Sequence, residues 1–545
     1  MPAAPPGNGD GTAARAYHEA TKHSLASVQR APHFLDFANM PLPFKVYPQL
    51  APLPLPRDVV TSSLPALEVI LGRDTAPGTG RALDLGTLAH LLHFTAGVLR
   101  RRVHAGGTTF FRAQACTGNL HHIDLYLVCG PLPDLAAGVY HFSPHDFALR
   151  LLRAGDHRAV VVEAAADEPA VRDAPVVLAC TSTFWRNAWK YQTRTWRHAF
   201  WDNGTLLANL LAMTTSLGIA ARLVLGFVDE TLNRLLDVDG EREATLSLVA
   251  LHEAAPEAHG GAPAHSPAPP VAPLGFETLP LSAHEVAYPA IVTAHHASSL
   301  TSPAEVGAWR TRAAAAARPP GTSGLGMSGL GTSSLRTSGS GTSGGAPLVP
   351  LLLPLPPRPE PIEAVILRRG STRVFGREPI GFDHLSTIVR AVGRGPTADF
   401  LAPGASLVDL YLIVHAVDGL DAGAYVVDRE RDGLVPLRSG DFRREAQHLD
   451  LGQPLAADAA VNLYWLADLS AVLARLADRG YRAAQLEAAI AGGNAYLAAF
   501  ALGLGATGLT FFDDDVTAFF APDAAGKSVL FLMAIGRPAR RAVSS

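Results

Sequence analysis

The sequence predicts an α+β fold written twice in one chain. Three observations predict it. A single offset of 285 positions, the separation of Tyr126 from Tyr411, superposes one half of the chain on the other. Each half carries a short apolar strand run, a turn and a second strand. Each half also carries one long proline-free helical stretch that stops near a glycine.

The offset holds from Tyr126 to Asp229. Leu135 falls on Leu420, Gly138 on Gly423 and Tyr140 on Tyr425. Trp196-Arg197 falls on Tyr481-Arg482, Asp202 on Glu487, Asn209 on Asn494, Leu217-Gly218 on Leu502-Gly503, and Asp229 on Asp514. Such matching at one offset is the signature of a duplication. Residues 125–128 and 410–414 are the apolar strand runs. Residues 199–217 and 486–502 are the long helices, and Gly218 and Gly503 suit the left-handed turn that ends a helix. A strand follows each helix, and then Asp229, or the triplet Asp513, Asp514 and Asp515, is expected to cap another helix. Residues 245–251 and 528–535 are the final strands.

Residues 319–345 repeat a GTSGLG-like unit, which cannot repay its ordering entropy and is expected to be a flexible linker. Residues 346–361 are Pro/Leu-rich and extended. Residues 274–312 read as a helix-bearing connector. The predicted organisation is therefore domain 1 at 12–255, a partly disordered connector at 256–360, and domain 2 at 361–545.

Composition narrows the class. The chain has 545 residues, of which 48% are hydrophobic and 17% charged, so it can bury large cores and is not mainly disordered. A net charge of −4 gives no general attraction to nucleic acid. Three cysteines without CxxC spacing argue against a disulfide framework and a structural zinc site. The N-terminal stretch has no signal-type apolar run. Residues 206–227 are apolar but contain Asn209, Gly218 and Arg222, so they read as a core helix entering a strand rather than a membrane span. A soluble cytoplasmic protein with no membrane or nucleic-acid partner is expected.

Lys22, Lys45, Lys190 and Lys527 are the only lysines among 45 basic residues. GC-rich coding accounts for the bias. A retained lysine still raises the question of whether arginine could do its work.

Two motifs need weighing. Residues 503–508, GLGATG, match a dinucleotide fingerprint in letters only. A helix precedes them and a strand follows, the reverse of the required order, so they read as a helix stop with tight packing. Residues 368–375, RRGSTRVF, follow a predicted helix at 362–367. Arg369 and Arg373, with Ser371 between them, can present two guanidinium forks and a hydroxyl to one phosphate. A solvated basic loop is the plain alternative.

This Arg-x-Ser-x-Arg resembles the FMN-binding start of the nitroreductase family. Other features resemble its SagB-type branch, which includes azoline dehydrogenases. They are Tyr17-His18-Glu19 with Thr21-Lys22-His23, residues 112–122 (RAQACTGNLHH), residues 132–142 (LPDLAAGVYHF), and Trp189-Lys190-Tyr191 followed by TWRHAFWDNG. The resemblance covers both halves and not the linker. It implies FMN at the interface of two subunits, here two halves of one chain forming an intrachain pseudo-dimer.

The halves depart from the family pattern in different places. Where domain 2 has Arg-x-Ser-x-Arg, domain 1 has Gly72-Arg73-Asp74-Thr75-Ala76, whose aspartate would repel phosphate. The stretch from Leu385 to Tyr411 is 12 residues shorter than that from Leu88 to Tyr126, and residues 401–408 keep little of the small-residue loop. One FMN per chain is therefore expected. Arg369, Ser371 and Arg373 would hold it, with Arg537 and Arg540 adding phosphate contacts. Cys116, Thr117, Gly118 and Asn119 would face it from domain 1. Thr510 and Phe511 would present backbone to the flavin ring, although Phe511 stands where the family has glycine.

The resemblance gives Lys190 and Tyr191 the proton chemistry. A base that takes a ring proton must be able to exist neutral, which lysine can and arginine effectively cannot. The structural alternative is that Lys190 forms a salt bridge or lies along Trp189. For His121 and His122 a loop role is preferred to metal binding, and for Cys116 packing is preferred to reactivity. Trp185, Trp189, Trp196, Phe200 and Trp201 read mainly as core. The expected activity is an FMN-dependent oxidoreductase that dehydrogenates a heterocycle such as an azoline, in a small molecule or modified peptide. An NAD(P)H-dependent nitro or quinone reductase is the enzymatic alternative. A scaffold in a peptide-modifying complex is the non-enzymatic one.

Overall fold

The computed structural model describes residues 7–30, 33–58, 62–72, 80–104, 106–253, 268, 270–315 and 347–539. The predicted linker at 319–345 lies outside them, as do Arg73 to Ala76 and Arg540. Two seven-stranded antiparallel sheets are built in the same order. The first runs Pro52–Pro54, Ala148–Ala154, Gly138–Ser143, Ile123–Cys129, Val176–Thr183, Glu243–His252 and Ala220–Val224. The second runs Val349–Pro350, Gly433–Ser439, Gly423–Asp428, Asp409–Val414, Val461–Ala467, Ser528–Gly536 and Gly505–Gly508. The central strands are buried, which explains their continuous apolar runs.

The two long helices, Thr195–Ser216 and Arg479–Ala501, join the copies. Equivalent residues face each other along them. The rings of Trp196 and Tyr481 stack 5.4 Å apart at an interplanar angle of 4°. A Cβ on Gly204 would come within 2.4 Å of the Ala489 Cβ, and one on Gly493 within 2.4 Å of the Ala208 Cβ. Each of these pairs is separated by the offset of the repeat. Residue meets counterpart at three successive points, so the helices run side by side in one direction along a pseudo-two-fold axis. At the two glycine–alanine pairs, one member lacks a Cβ and lets the backbones close. Both helices end as predicted, with Gly218 (φ 67) and Gly503 (φ 77) in the left-handed region.

Buried charge repeats the symmetry. Asp513 accepts from Arg197 (2.6 Å) and Arg194 (3.3 Å), and Asp229 accepts from Arg479 (2.6 Å) and Arg482 (2.7 Å). Burial alone would raise both carboxyl pKa values, but the guanidinium groups hold them below the usual range. Asp229 and Asp513 lie in helical first turns, yet neither caps its helix; the expected cap is an ion-pair anchor instead. The counterpart of Asp229 is Asp513 rather than Asp514, a one-residue slip in the offset.

Residues assigned to the connector belong to this framework. Helices Pro289–Ala297 and Pro303–Ala315 are packed against it, and the first reproduces the N-terminal helix Thr12–Ala20. Arg197 donates to the His18 carbonyl and the Thr21 hydroxyl, and Arg482 donates to the His295 carbonyl and the Ser298 hydroxyl. His23 N–H donates to Asp513 as Leu300 N–H does to Asp229. Sequence similarity between these arms is too slight to reveal the match, because it is made mostly through backbone atoms. No helix among the described residues is long and apolar enough to cross a membrane.

Candidate active site

Domain 1 contributes a loop and the end of a helix. Asp202, on the first long helix, accepts from the Thr117 N–H (2.8 Å) and hydroxyl (2.7 Å), and the Cys116 thiol lies 3.1 Å away. His122 Nε2 is 2.9 Å from the same carboxylate, and its Nδ1 is 2.8 Å from the Ser182 hydroxyl. The loop is thus tied to the sheet through one buried carboxylate. Gly118 (φ 64) and Asn119 (φ 60) are left-handed. A Cβ on Gly118 would lie 2.8 Å from the Tyr191 hydroxyl, so a glycine is required there on two counts.

Tyr191 ends the helix Phe184–Tyr191, with Lys190 Nζ 5.2 Å from its ring centroid. Burial, reinforced by the nearby Asp202 and Cys116, raises the Tyr191 pKa, while Arg373 of domain 2 opposes the shift. The phenol therefore stays protonated at neutral pH. Burial and Asp202 likewise push the Cys116 thiol up, which keeps it a thiol and fits a packing role. The other three lysines are spoken for: Lys22 pairs with Glu19 and Asp514, Lys45 with Glu243, and Lys527 with Asp409. Lys190 has no ion-pair partner among the described residues.

Domain 2 contributes the arginine segment. Arg368 turns outward to Glu360. Arg369 turns inward, is 8% exposed, and donates through Nη2 to the Ala113 carbonyl of domain 1 (2.8 Å). Its Nε has no partner among the described residues. The Ser371 hydroxyl is 3.2 Å from the Tyr496 hydroxyl, which also accepts from the Gly508 N–H (2.7 Å). Thr372 N–H donates to the Ala506 carbonyl, which lays the segment along the edge strand Gly505–Gly508. The GLGATG motif is thus a helix stop and an edge strand. Arg373 is exposed and has no ion-pair partner among the described residues.

The remaining predicted residues divide. The Thr510 hydroxyl is buried and has no partner among the described residues. Phe511 is buried against the Trp201 ring (5.9 Å) and below the Arg194 guanidinium (5.5 Å), so only its backbone can face a ligand. Arg537 is exposed and its Nε donates to the Pro379 carbonyl. Trp185, Trp189, Trp196, Phe200 and Trp201 are core, and no cluster among the described residues could hold a metal.

The pseudo-equivalent place in the other half is closed by the chain itself. Where domain 2 has Arg369, domain 1 has Gly72. A Cβ there would fall on the guanidinium of Arg394, which fills the space. From Arg394 the chain runs to the edge strand Ala220–Val224, where Leu223 N–H donates to the Thr397 carbonyl and Asp399 N–H to the Leu223 carbonyl. The Asp399 carboxylate then accepts from the backbone N–H groups of Leu225 and Gly226, both at 2.8 Å. These two residues lie between their edge strand and Asp229, the place that Thr510 and Phe511 take before Asp513. Arg310 supports the plug at 3.5 Å from Asp399 and 3.0 Å from Glu168. Sequence reasoning missed Asp399, Arg394 and Arg310. The only trace was the shorter loop, which reads as loss rather than as refilling.

The nitroreductase family model matches residues 113–251 and 366–537, more than half of the chain. A crystal structure of a protein assigned as a nitroreductase from Anabaena variabilis ATCC 29413 superposes with a TM-score of 0.73 at 24% identity. The match covers 97% of this chain and 99% of that one, so the fold extends over the whole double-length molecule. An assigned nitroreductase from Ralstonia eutropha JMP134 matches at 21% identity and a TM-score of 0.30, over 40% of this chain and all of its own. The Escherichia coli microcin synthetase McbBCD complex with truncated pro-MccB17 bound matches at 17% identity and a TM-score of 0.28, over 44% of this chain and 87% of the matched one. No curated protein matches the chain. With its domain present twice and its two sheets built in one order, the chain belongs to the nitroreductase family.

Proposed function

We propose that the chain is an FMN-dependent dehydrogenase of the SagB type with one flavin site, formed between residues 113–119 of domain 1 and 369–373 of domain 2. FMN is the cofactor of the family, and the residues fit it. The Arg369 Nε and the Thr510 hydroxyl are buried polar groups in want of partners. The carrying observation is the contrast between the two pseudo-equivalent places. One has the buried Arg369 Nε and Thr510 hydroxyl without partners among the described residues, and the other has the backbone N–H groups of Leu225 and Gly226 met by Asp399.

Arg369 and Arg373 would hold the phosphate with charge-assisted hydrogen bonds, and the Ser371 hydroxyl would add a neutral one. The backbone of Thr510 and Phe511 would meet the ring, taking the role that Leu225 and Gly226 play toward Asp399. When bound, FMN supplies a two-electron hydride acceptor. Lys190 would take the proton that one ring carbon loses as the bond to the neighbouring ring carbon, which gives up hydride, becomes double. Tyr191, kept protonated by burial, would donate a hydrogen bond to the substrate and orient it. Asp202 and His122 hold the loop in place. An azoline-type ring in a small molecule or modified peptide is the substrate class this chemistry suits.

The test is the flavin content and bleaching of the purified chain. One FMN per chain, lost in Arg369→Ala/Arg373→Ala and bleached by an azoline substrate, is the expected result. Two flavins per chain, or unchanged binding in that double variant, would overturn the single-site reading. Bleaching by NAD(P)H alone would mark a reductase, and absence of flavin would leave a scaffold.

A further inference from the structure

We propose that Arg100, on a hairpin present only in domain 1, closes the phosphate end of the flavin site from across the pseudo-dimer interface. This inference rests on the FMN reading above. The hairpin pairs Val98–His104 with Gly107–Arg112 and accounts for the extra length of domain 1 between Leu88 and Tyr126. Its sequence contains Arg100, Arg101, Arg102, His104 and Arg112, and no acidic residue. Arg112 anchors the base by donating to the Pro43 carbonyl and lying over the Phe44 ring, which also meets Phe110 edge-on at 4.9 Å.

Arg100 pairs across the hairpin with Phe111, and its guanidinium lies 5.5 Å from that ring. From there it reaches domain 2. Its Nη2 is 3.8 Å from the position a Cβ on Gly370 would take, directly beside Arg369. Burial lowers the Arg369 pKa, and Arg100 lowers it further, so the two cations feel each other. Arg100 and Arg373 are exposed, and neither has an ion-pair partner among the described residues. The Arg100 and Arg369 guanidinium groups, one from each domain, therefore lie near each other beside Gly370, and Arg373 follows two positions after Ser371 on the same segment. Like charges held together in this way are unfavourable unless an anion joins them. A phosphate monoester, with two charges and three accepting oxygens, fits that need. Arg101 pairs with Phe110 and so belongs to the opposite face of the hairpin, which makes it the internal control.

The experiment titrates full-length protein, stripped of flavin, with FMN and with riboflavin, which lacks the phosphate. Arg100→Gln is expected to weaken FMN about ten-fold or more and to leave riboflavin unchanged, while Arg101→Gln alters neither. If wild type binds FMN and Arg100→Gln binds it equally well, the clamp is wrong and the cofactor reading stands. An equal loss for both flavins would also overturn the clamp, because the effect would not involve phosphate. Failure of wild type to bind FMN overturns both.

Discussion

Replacing Asp229 by Asn removes the one carboxylate that holds Arg479 and Arg482. The substitution preserves size and leaves two buried guanidinium groups without their counter-charge. Both are fully buried, and their contacts with Asp229 are 2.6 and 2.7 Å. Removing one partner of a buried ion pair costs about 3–5 kcal/mol, because the remaining charge stays out of water. Carbonyls of Leu225, Ser298 and His295 still accept from these arginines, which places the expected loss at the lower end, about 3 kcal/mol. Urea unfolding followed by far-ultraviolet circular dichroism measures it. A loss below about 1 kcal/mol would mean that the arginines are satisfied without the carboxylate, and the argument from burial would fail. Asp513→Asn is the mirror experiment, with a similar expected loss of stability. The pair separates in flavin retention. Asp513 follows Thr510 and Phe511 at the proposed flavin site, so its loss should lower flavin occupancy, whereas Asp229 borders the plugged place and its loss should leave occupancy unchanged. Equal flavin loss in both variants would argue against a single site.

Lys190→Arg keeps the charge and removes the ability to become neutral, so turnover should fall by about 100-fold or more while flavin stays bound; full turnover would sink the base assignment. Tyr191→Phe should lower turnover less and leave the flavin spectrum in place, as assayed with the same substrate. Gly204→Val drives a side chain into Ala489 at the axis and should cost about 1–3 kcal/mol or more in urea unfolding; an unchanged midpoint would mean the helices can part freely. Burial lowers the pKa of His18, His121, His198 and His295 well below the ordinary value, so these stay neutral in the fold and protonate below about pH 6.5 only on unfolding. Their contribution is whole above that pH and is lost as the pH falls, at up to about 1.4 kcal/mol per unit for each group. Thermal midpoints should stay level from pH 8 to about 7 and fall as the pH drops from about 6.5 to 5.5; a midpoint that stays flat down to pH 5.5 would contradict this.

The duplication was legible because equivalent residues face each other across an axis and are therefore under the same packing constraint in both copies. Trp196 and Tyr481 match by offset alone, and their rings stack in the fold. The helix stops at Gly218 and Gly503 were equally local, since a left-handed residue is a property of one position. The arginine segment was legible because Arg369, Ser371 and Arg373 fall at alternate positions within five residues. Other features depended on atoms far apart in the chain. The arms at Thr12–Ala20 and Pro289–Ala297 are matched mostly through backbone carbonyls, which leave little trace in residue identity. Asp399 meets Leu225 and Gly226 through backbone N–H groups, so neither side chain advertised the contact. Arg100 and Gly370 lie 270 positions apart and are brought together only by the pseudo-two-fold packing. The sequence by itself determined that there are two copies and which half kept which motif, since those are matters of residue type and local spacing. Only the tertiary structure decided which place is plugged, because that depends on where a shortened loop goes once the two copies are packed together.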